Sequence, residues 1–126
     1  MKARLLLQKS PLAIILFLLV FASSCTRECN GTNPEITVSN QWDHPIFIEV
    51  IRDGYVTHNA TLGEGEEITV MVNSERIKIK TREYGVIFPD RSSTTFNARD
   101  CWEYRVTAVP ADDEDEHILE LSQSFR

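Results

Sequence analysis

Apolar and polar residues alternate along most of the chain beyond residue 34, with the period of β-strands that bury one face. The alternation predicts strands around residues 36–38, 46–51, 55–61, 68–72, 76–82, 94–97, 101–109 and 118–121. Asp53 and Gly54 separate the second and third of these runs and predict a tight hairpin turn. No helical period of useful length is found after residue 24.

Two runs give further expectations. Ile46, Ile48 and Val50 alternate with Phe47 and Ile51, so apolar residues occupy both faces of this strand. Such a pattern is typical of a central strand that is covered on both sides. Residues 84–88 are also expected to continue in β structure, across a bulge at their glycine.

Seven or eight short strands with frequent turns favour an all-β fold. We expect a small antiparallel β-sandwich of immunoglobulin-like or transthyretin-like type, with a small β-barrel as the alternative. This domain is predicted to span residues 35–126, and the sequence contains no internal repeat and no second domain.

The first 24 residues follow another pattern. Lys2, Arg4 and Lys9 give a positively charged start without acidic residues, and an unbroken apolar run then occupies residues 12–22. This order is typical of an export signal. Because a membrane-spanning helix needs roughly 18 or more apolar residues, a cleaved signal is favoured over a permanent span.

The residues Ala22, Ser23 and Ser24, directly before Cys25, resemble the lipobox of bacterial lipoproteins. The resemblance implies cleavage before Cys25, a diacylglyceryl thioether on its sulfur and an acyl chain on its new amino group. Thr26 in place of an aspartate is similar to members sorted to the outer membrane, which implies an envelope protein that faces the periplasm. Ordinary secretion with an unmodified Cys25 thiol is the alternative.

The chain has three cysteines. If Cys25 carries lipid, Cys29 and Cys101 remain as an even pair, and an oxidising compartment favours a disulfide between them. The alternative is that both stay reduced and buried. Residues 25–34 form a polar leader. Only three residues separate Cys25 from Cys29, so a bridged domain would stand within about 10–15 Å of its lipid.

Charge narrows the class of partner. Without the three positive charges of the signal, ten Lys and Arg face nineteen Asp and Glu, a net charge of −9. Such a surface repels phosphate backbones and anionic headgroups, so we expect no nucleic-acid partner.

The clearest local feature is a basic stripe on one face of the predicted strand 76–82. It consists of Arg76, Lys78, Lys80 and Arg82. These charges would suit an acidic partner, a glycan or a phosphate. Alternatively, they form the solvent side of the strand, or an edge that charge guards against unwanted pairing.

Other candidates are weaker. Trp42, in a predicted loop, is a candidate contact for a partner because Trp is enriched in binding hot spots. The histidines His44, His58 and His117 lack metal-ligand spacing, so no metal site is expected. The acidic run at 112–116 is read as a solvated loop, with calcium binding as the alternative.

No nucleophile motif, phosphate-binding glycine loop or cofactor motif is present. The sequence therefore predicts a non-enzymatic binding or scaffolding module without a cofactor, tethered to the membrane by lipid at Cys25 and serving another envelope protein. One alternative is a periplasmic inhibitor of a hydrolase such as lysozyme or a protease. Another is a calcium-binding or small-ligand-binding protein.

Overall fold

The computed structural model describes residues 29–126, which form eight β-strands and no helix. The strands are β1 (Glu35–Asn40), β2 (Ile46–Arg52), β3 (Tyr55–Leu62), β4 (Glu67–Met71), β5 (Arg76–Glu83), β6 (Arg91–Asn97), β7 (Trp102–Pro110) and β8 (His117–Phe125). This part of the chain holds no helix long and apolar enough to span a membrane. The predicted signal and the lipid site at Cys25 lie outside the described residues.

The strands form two four-stranded sheets that pack face to face. The first sheet has the order β4-β1-β7-β8, and the second has the order β3-β2-β5-β6. Two separate sheets confirm the predicted sandwich and rule out the small barrel. All pairs are antiparallel except β1 and β7, which run parallel. The sandwich is thus predominantly antiparallel, as predicted, with one parallel pair in the first sheet.

The alternating apolar residues of both sheets meet in one core. Its fully buried members include Ile36 and Val38 from the first sheet and Ile48, Ile77 and Ile79 from the second. Each fully buried aliphatic side chain contributes about 1.5–3 kcal/mol relative to its exposed state. The core therefore fixes which face of every strand points outward.

β2 is central, as predicted, because it pairs with both β3 and β5. Its outer face is not covered by a third layer, contrary to the prediction. Phe47 is instead half-buried beneath the guanidinium of Arg82, which lies 4.8 Å from the ring centroid. A charged side chain on the next strand thus shields the apolar residue that suggested a buried layer.

Residues 84–88 are a loop and not the predicted extension of β5. Gly85 has a φ of +84°, a left-handed conformation that ends the strand. The hairpin is closed behind it by the Glu83 N–H, which donates to the Asp90 carbonyl at 2.8 Å. β6 and β8 are both longer than predicted, because their partners extend the hydrogen-bonded ladders beyond the apolar residues.

Cys29 and Cys101 form the predicted disulfide, with their Cα atoms 5.5 Å apart. The bridge closes a loop across a sequence separation of 72 residues. In the chain-entropy model, this constraint on the unfolded chain contributes about 4 kcal/mol to stability. It attaches the N-terminal segment to the end of the sandwich where β1 and β7 begin.

Candidate functional site

The predicted basic stripe lies on the outer face of β5, and all four of its side chains are exposed. β5 pairs with β2 on one side and β6 on the other, so it lies inside the second sheet. The interpretation of the stripe as a guarded sheet edge is therefore wrong. The charges occupy the middle of a sheet face, where a ligand has access from above.

β6 adds a fifth basic residue that sequence reasoning missed. Arg91, the first residue of β6, is directly opposite Arg82 in the β5–β6 register and is also exposed. We call the set of five the basic face; its members are Arg76, Lys78, Lys80, Arg82 and Arg91. Like charges that face each other across a strand pair destabilise a sheet, so the placement of the two arginines is unusual.

Nearby carboxylates do not neutralise the basic face. Glu75, next to its first residue, lies 2.8 Å from Nε of Arg52, and Glu83, next to Arg82, lies 3.7 Å from His44. Among residues 29–126, no basic-face side chain has a carboxylate within 4.0 Å. Their charge therefore remains available to an external anion.

Two open clefts run along the basic face. One, of about 560 Å³, lies at the end of β5 and includes Phe47, Lys80, Arg82, Arg91 and Ser93 in its lining. The other, of about 460 Å³, lies at the opposite end of the strand. Its lining includes Ile51, Arg76, Lys78 and Thr95. Both clefts combine several cations with hydroxyl and apolar groups, and each has one carboxylate in its lining, Glu49 in the first and Asp53 in the second. Because cations outnumber carboxylates in both, the composition suits anionic ligands with an organic part.

A buried contact fixes the larger cleft from below. Thr81 and Asp90 directly precede the two arginines in sequence, and both contact His117, which is 3% exposed. His117 Nε2 and Thr81 Oγ1 share a hydrogen bond of 2.6 Å, and the His117 backbone N–H donates to Asp90 Oδ2 at 2.7 Å. Nδ1 of the ring lies 2.6 Å from the same oxygen but is poorly aligned for a hydrogen bond.

Trp42 is not a surface contact, which corrects the prediction. Its side chain is 0% exposed and lies between the rings of His44 and His117, with centroid distances of 4.4 Å and 4.8 Å. Its Nε1–H donates to the Glu114 carbonyl at 3.0 Å. Asn40 turns the loop inward, because its Oδ1 accepts from the Trp42 backbone N–H at 2.9 Å. The scattered polar neighbours in the sequence gave no sign of this burial.

The acidic run at 112–116 is an exposed turn between β7 and β8, as predicted. Asp113 organises the turn itself, since its Oδ1 accepts from the Asp115 N–H and its carbonyl accepts from the Glu116 N–H. Within the described residues, no group of three or more His, Cys, Asp or Glu is arranged to hold a metal ion. The calcium alternative gains no support from this loop.

The loop at 84–88 is the most exposed apolar segment of residues 29–126. Ile87 is 90% and Phe88 is 92% exposed, and Tyr84 and Val86 are about half exposed. The loop joins β5 to β6 and so protrudes directly beyond Arg82 and Arg91. Exposed apolar groups of this kind are typical of interaction sites.

The chain matches no family model and no curated protein. A solved structure is similar in fold: the NMR structure of a protein from Eubacterium rectale aligns with a TM-score of 0.53. The alignment covers 79% of this chain and 97% of the other, at 16% sequence identity. At this identity the likeness concerns the fold alone.

The Asp90→Ala variant tests the contact beneath the cleft. It removes the acceptor of the His117 N–H, so we expect a loss of about 1.5–3 kcal/mol in the free energy of unfolding. Urea denaturation measures the change. Asp112→Ala, in the exposed acidic turn, is the matched control and should change stability by less than about 0.5 kcal/mol. Equal effects of the two substitutions would contradict a structural role for Asp90.

Proposed function

We propose that this protein is a lipid-tethered, non-catalytic binding module of the bacterial envelope, and that its basic face engages an acidic envelope protein. The observation that carries the proposal is the exposed set of five cations on one sheet of a chain whose net charge after loss of the signal is −9. Charges segregated in this way steer a complementary surface toward one face.

The proposed tether rests on the lipobox-like residues before Cys25 and on the pairing of the other two cysteines. The disulfide leaves Cys25 as the only thiol of the exported chain, so a thioether there would remove an odd cysteine from an oxidising compartment. The proposed location is the outer membrane, on its periplasmic side, as implied by Thr26.

Among the described residues, the set most similar to a catalytic triad consists of Thr81 as the hydroxyl, His117 as the base and Asp90 as the orienting acid. The position of this set supports a non-catalytic role. The Thr81 side chain points into the core and the residue is 2% exposed. A substrate has no path to this hydroxyl, so the grouping acts in our proposal as a structural contact.

The tether can be tested by intact mass. When the full chain is expressed in a Gram-negative bacterium, we expect a membrane-bound product that begins at Cys25 and carries the mass of a diacylglyceryl group and an acyl chain. Cys25→Ser should abolish the modification, whereas the Cys29→Ser/Cys101→Ser control should keep it. An unmodified, freely soluble product would overturn the proposal.

Binding through the basic face can be tested with poly-L-glutamate as the acidic probe. Lys78→Glu should weaken its binding by about tenfold, measured by calorimetry at low salt, because it reverses a charge at the centre of the face. Arg99→Glu, in the exposed loop after β6, changes the net charge equally and is the control. Equal losses in both variants would mean that only net charge matters and would contradict a specific face.

A second candidate is an inhibitor of an exported hydrolase, favoured by the protruding apolar loop at 84–88. Inhibitors commonly present exposed side chains to an enzyme cleft, and Ile87 and Phe88 are almost fully exposed. Stoichiometric inhibition of a lysozyme or protease in a panel would support it, provided that Ile87→Ser/Phe88→Ser abolishes the inhibition. Inhibition that survives this change, or none across the panel, would count against it.

A further inference from the structure

Arg82 and Arg91 occupy directly opposed positions on β5 and β6, so their side chains leave the sheet from neighbouring points on one face. Directly opposed residues of an antiparallel pair have Cβ atoms about 4.5–5.5 Å apart, and two like charges there repel each other. An anion that lies between them relieves this repulsion. Two arginines that have no carboxylate partner within the described part of the protein are therefore available to an external anion.

The residues next to the Arg82–Arg91 pair add to its preference for an anion. Lys80 lies two residues before Arg82 on the same face, directly opposite Ser93 on β6 and Glu49 on β2. Glu49 is the one carboxylate in the lining of the cleft, and neither guanidinium group has a carboxylate within 4.0 Å among residues 29–126. The cleft therefore offers two planar donor forks, one ammonium group and one hydroxyl toward a common space.

These donors suit a tetrahedral dianion better than a carboxylate. A guanidinium binds phosphate oxygens through two parallel N–H donors, and a phosphate monoester has three terminal oxygens to share between two such forks. A carboxylate carries a single charge, so it can accept hydrogen bonds from both arginines but neutralises only one of them. The two opposed arginines therefore favour a ligand with two negative charges, such as a phosphate monoester.

The cleft also has room for more than an inorganic ion. Its volume of about 560 Å³ lies within the range of sites for small organic ligands, about 300–1,000 Å³. Phe47 lies against the Arg82 guanidinium at 4.8 Å and holds it in the cleft. The part of the Phe47 ring that the guanidinium leaves exposed gives the organic part of an ester a surface to contact.

Below the sheet, the cleft is held by the residues next to the two arginines. Thr81 and Asp90 are joined through buried His117, so the end of β5 and the start of β6 are fixed to β8. A site with preset donors loses less entropy when it binds. From these observations we propose that the Arg82–Arg91 cleft is a binding site for a phosphate monoester. The inference goes beyond the proposed function, because it assigns a small anionic ligand to one end of the basic face.

The test compares two probes of the same shape. Phenyl phosphate is a dianion at neutral pH, whereas phenyl sulfate is a monoanion, and both are titrated into the full chain by calorimetry and by NMR of the arginine side-chain N–H groups. We expect saturable binding of phenyl phosphate that shifts the Arg82 and Arg91 signals, about tenfold tighter than phenyl sulfate. Equal affinity for the two, or no saturable binding, would overturn the inference.

Variants locate the site. Arg91→Gln should weaken phenyl phosphate binding by about tenfold, and Arg91→Lys, which keeps the charge but not the fork, by less. Arg99→Gln, in the exposed loop after β6 and outside the basic face, is the matched control and should leave the affinity within about twofold. If Arg99→Gln and Arg91→Gln weaken binding equally, the cleft is not a specific site and the inference fails.

Two sources of the ester are separated by a second pair of probes. Dihexanoyl phosphatidic acid is a lipid monoester, and dihexanoyl phosphatidylglycerol is the corresponding diester with one charge. If the protein binds the monoester lipid more tightly than phenyl phosphate, and this preference depends on Arg91, the natural ligand is a lipid headgroup. If phenyl phosphate binds more tightly, the natural ligand is a soluble ester. Both results support the site. If poly-L-glutamate binds through Lys78 while no monoester binds, the proposed function stands and this inference falls.

Discussion

The alternation of side chains along β5 is the constraint on which both the core and the candidate site depend. Ile77 and Ile79 are fully buried between the sheets, and the basic residues between them must therefore point to solvent. A shift of register by one residue would bury those charges, at a far greater cost than any single contact can offset. The hydrophobic core thus also determines the direction of the basic face.

The core also sets the position of the charged residues at the end of β5, because residues that face the core there are next in sequence to residues that face solvent. Thr81 precedes Arg82 and Asp90 precedes Arg91, and the inward members of both pairs meet at His117 on β8. Trp42 stacks on this ring and ties it to the β1–β2 loop. The geometry of the exposed cleft is therefore set by a buried contact between the two sheets.

Sequence reasoning found the features that depend on local pattern. Period-two alternation located all eight strands, and the Asp53–Gly54 turn has the positive φ angles, +49° and +80°, that a tight hairpin requires. The disulfide followed from counting cysteines, and the stripe on β5 could be read directly.

What was missed depends on pairing between distant segments. Arg91 joins the basic face only through the register of β6 on β5, and the burial of Trp42 and His117 depends on a contact across 75 residues of sequence. The net charge is uninformative in a related way, because −9 averages over a surface on which five of the ten remaining cations share one face. A sum over the sequence carries no information about where charges lie.

The positions of the disulfide and of the cleft bear on how a tether would affect binding. Cys29 is bridged at the end of the sandwich where β1 and β7 begin, whereas Arg82 and Arg91 lie at the end where β1 finishes and β2 starts. The six residues of β1 alone span roughly 20 Å between these ends. A lipid on Cys25, four residues before the bridged Cys29, would restrain one end of the domain and leave the cleft unobstructed at the other. Because only three residues separate the proposed lipid from the bridge, the anchor would keep that end of the domain close to the membrane surface.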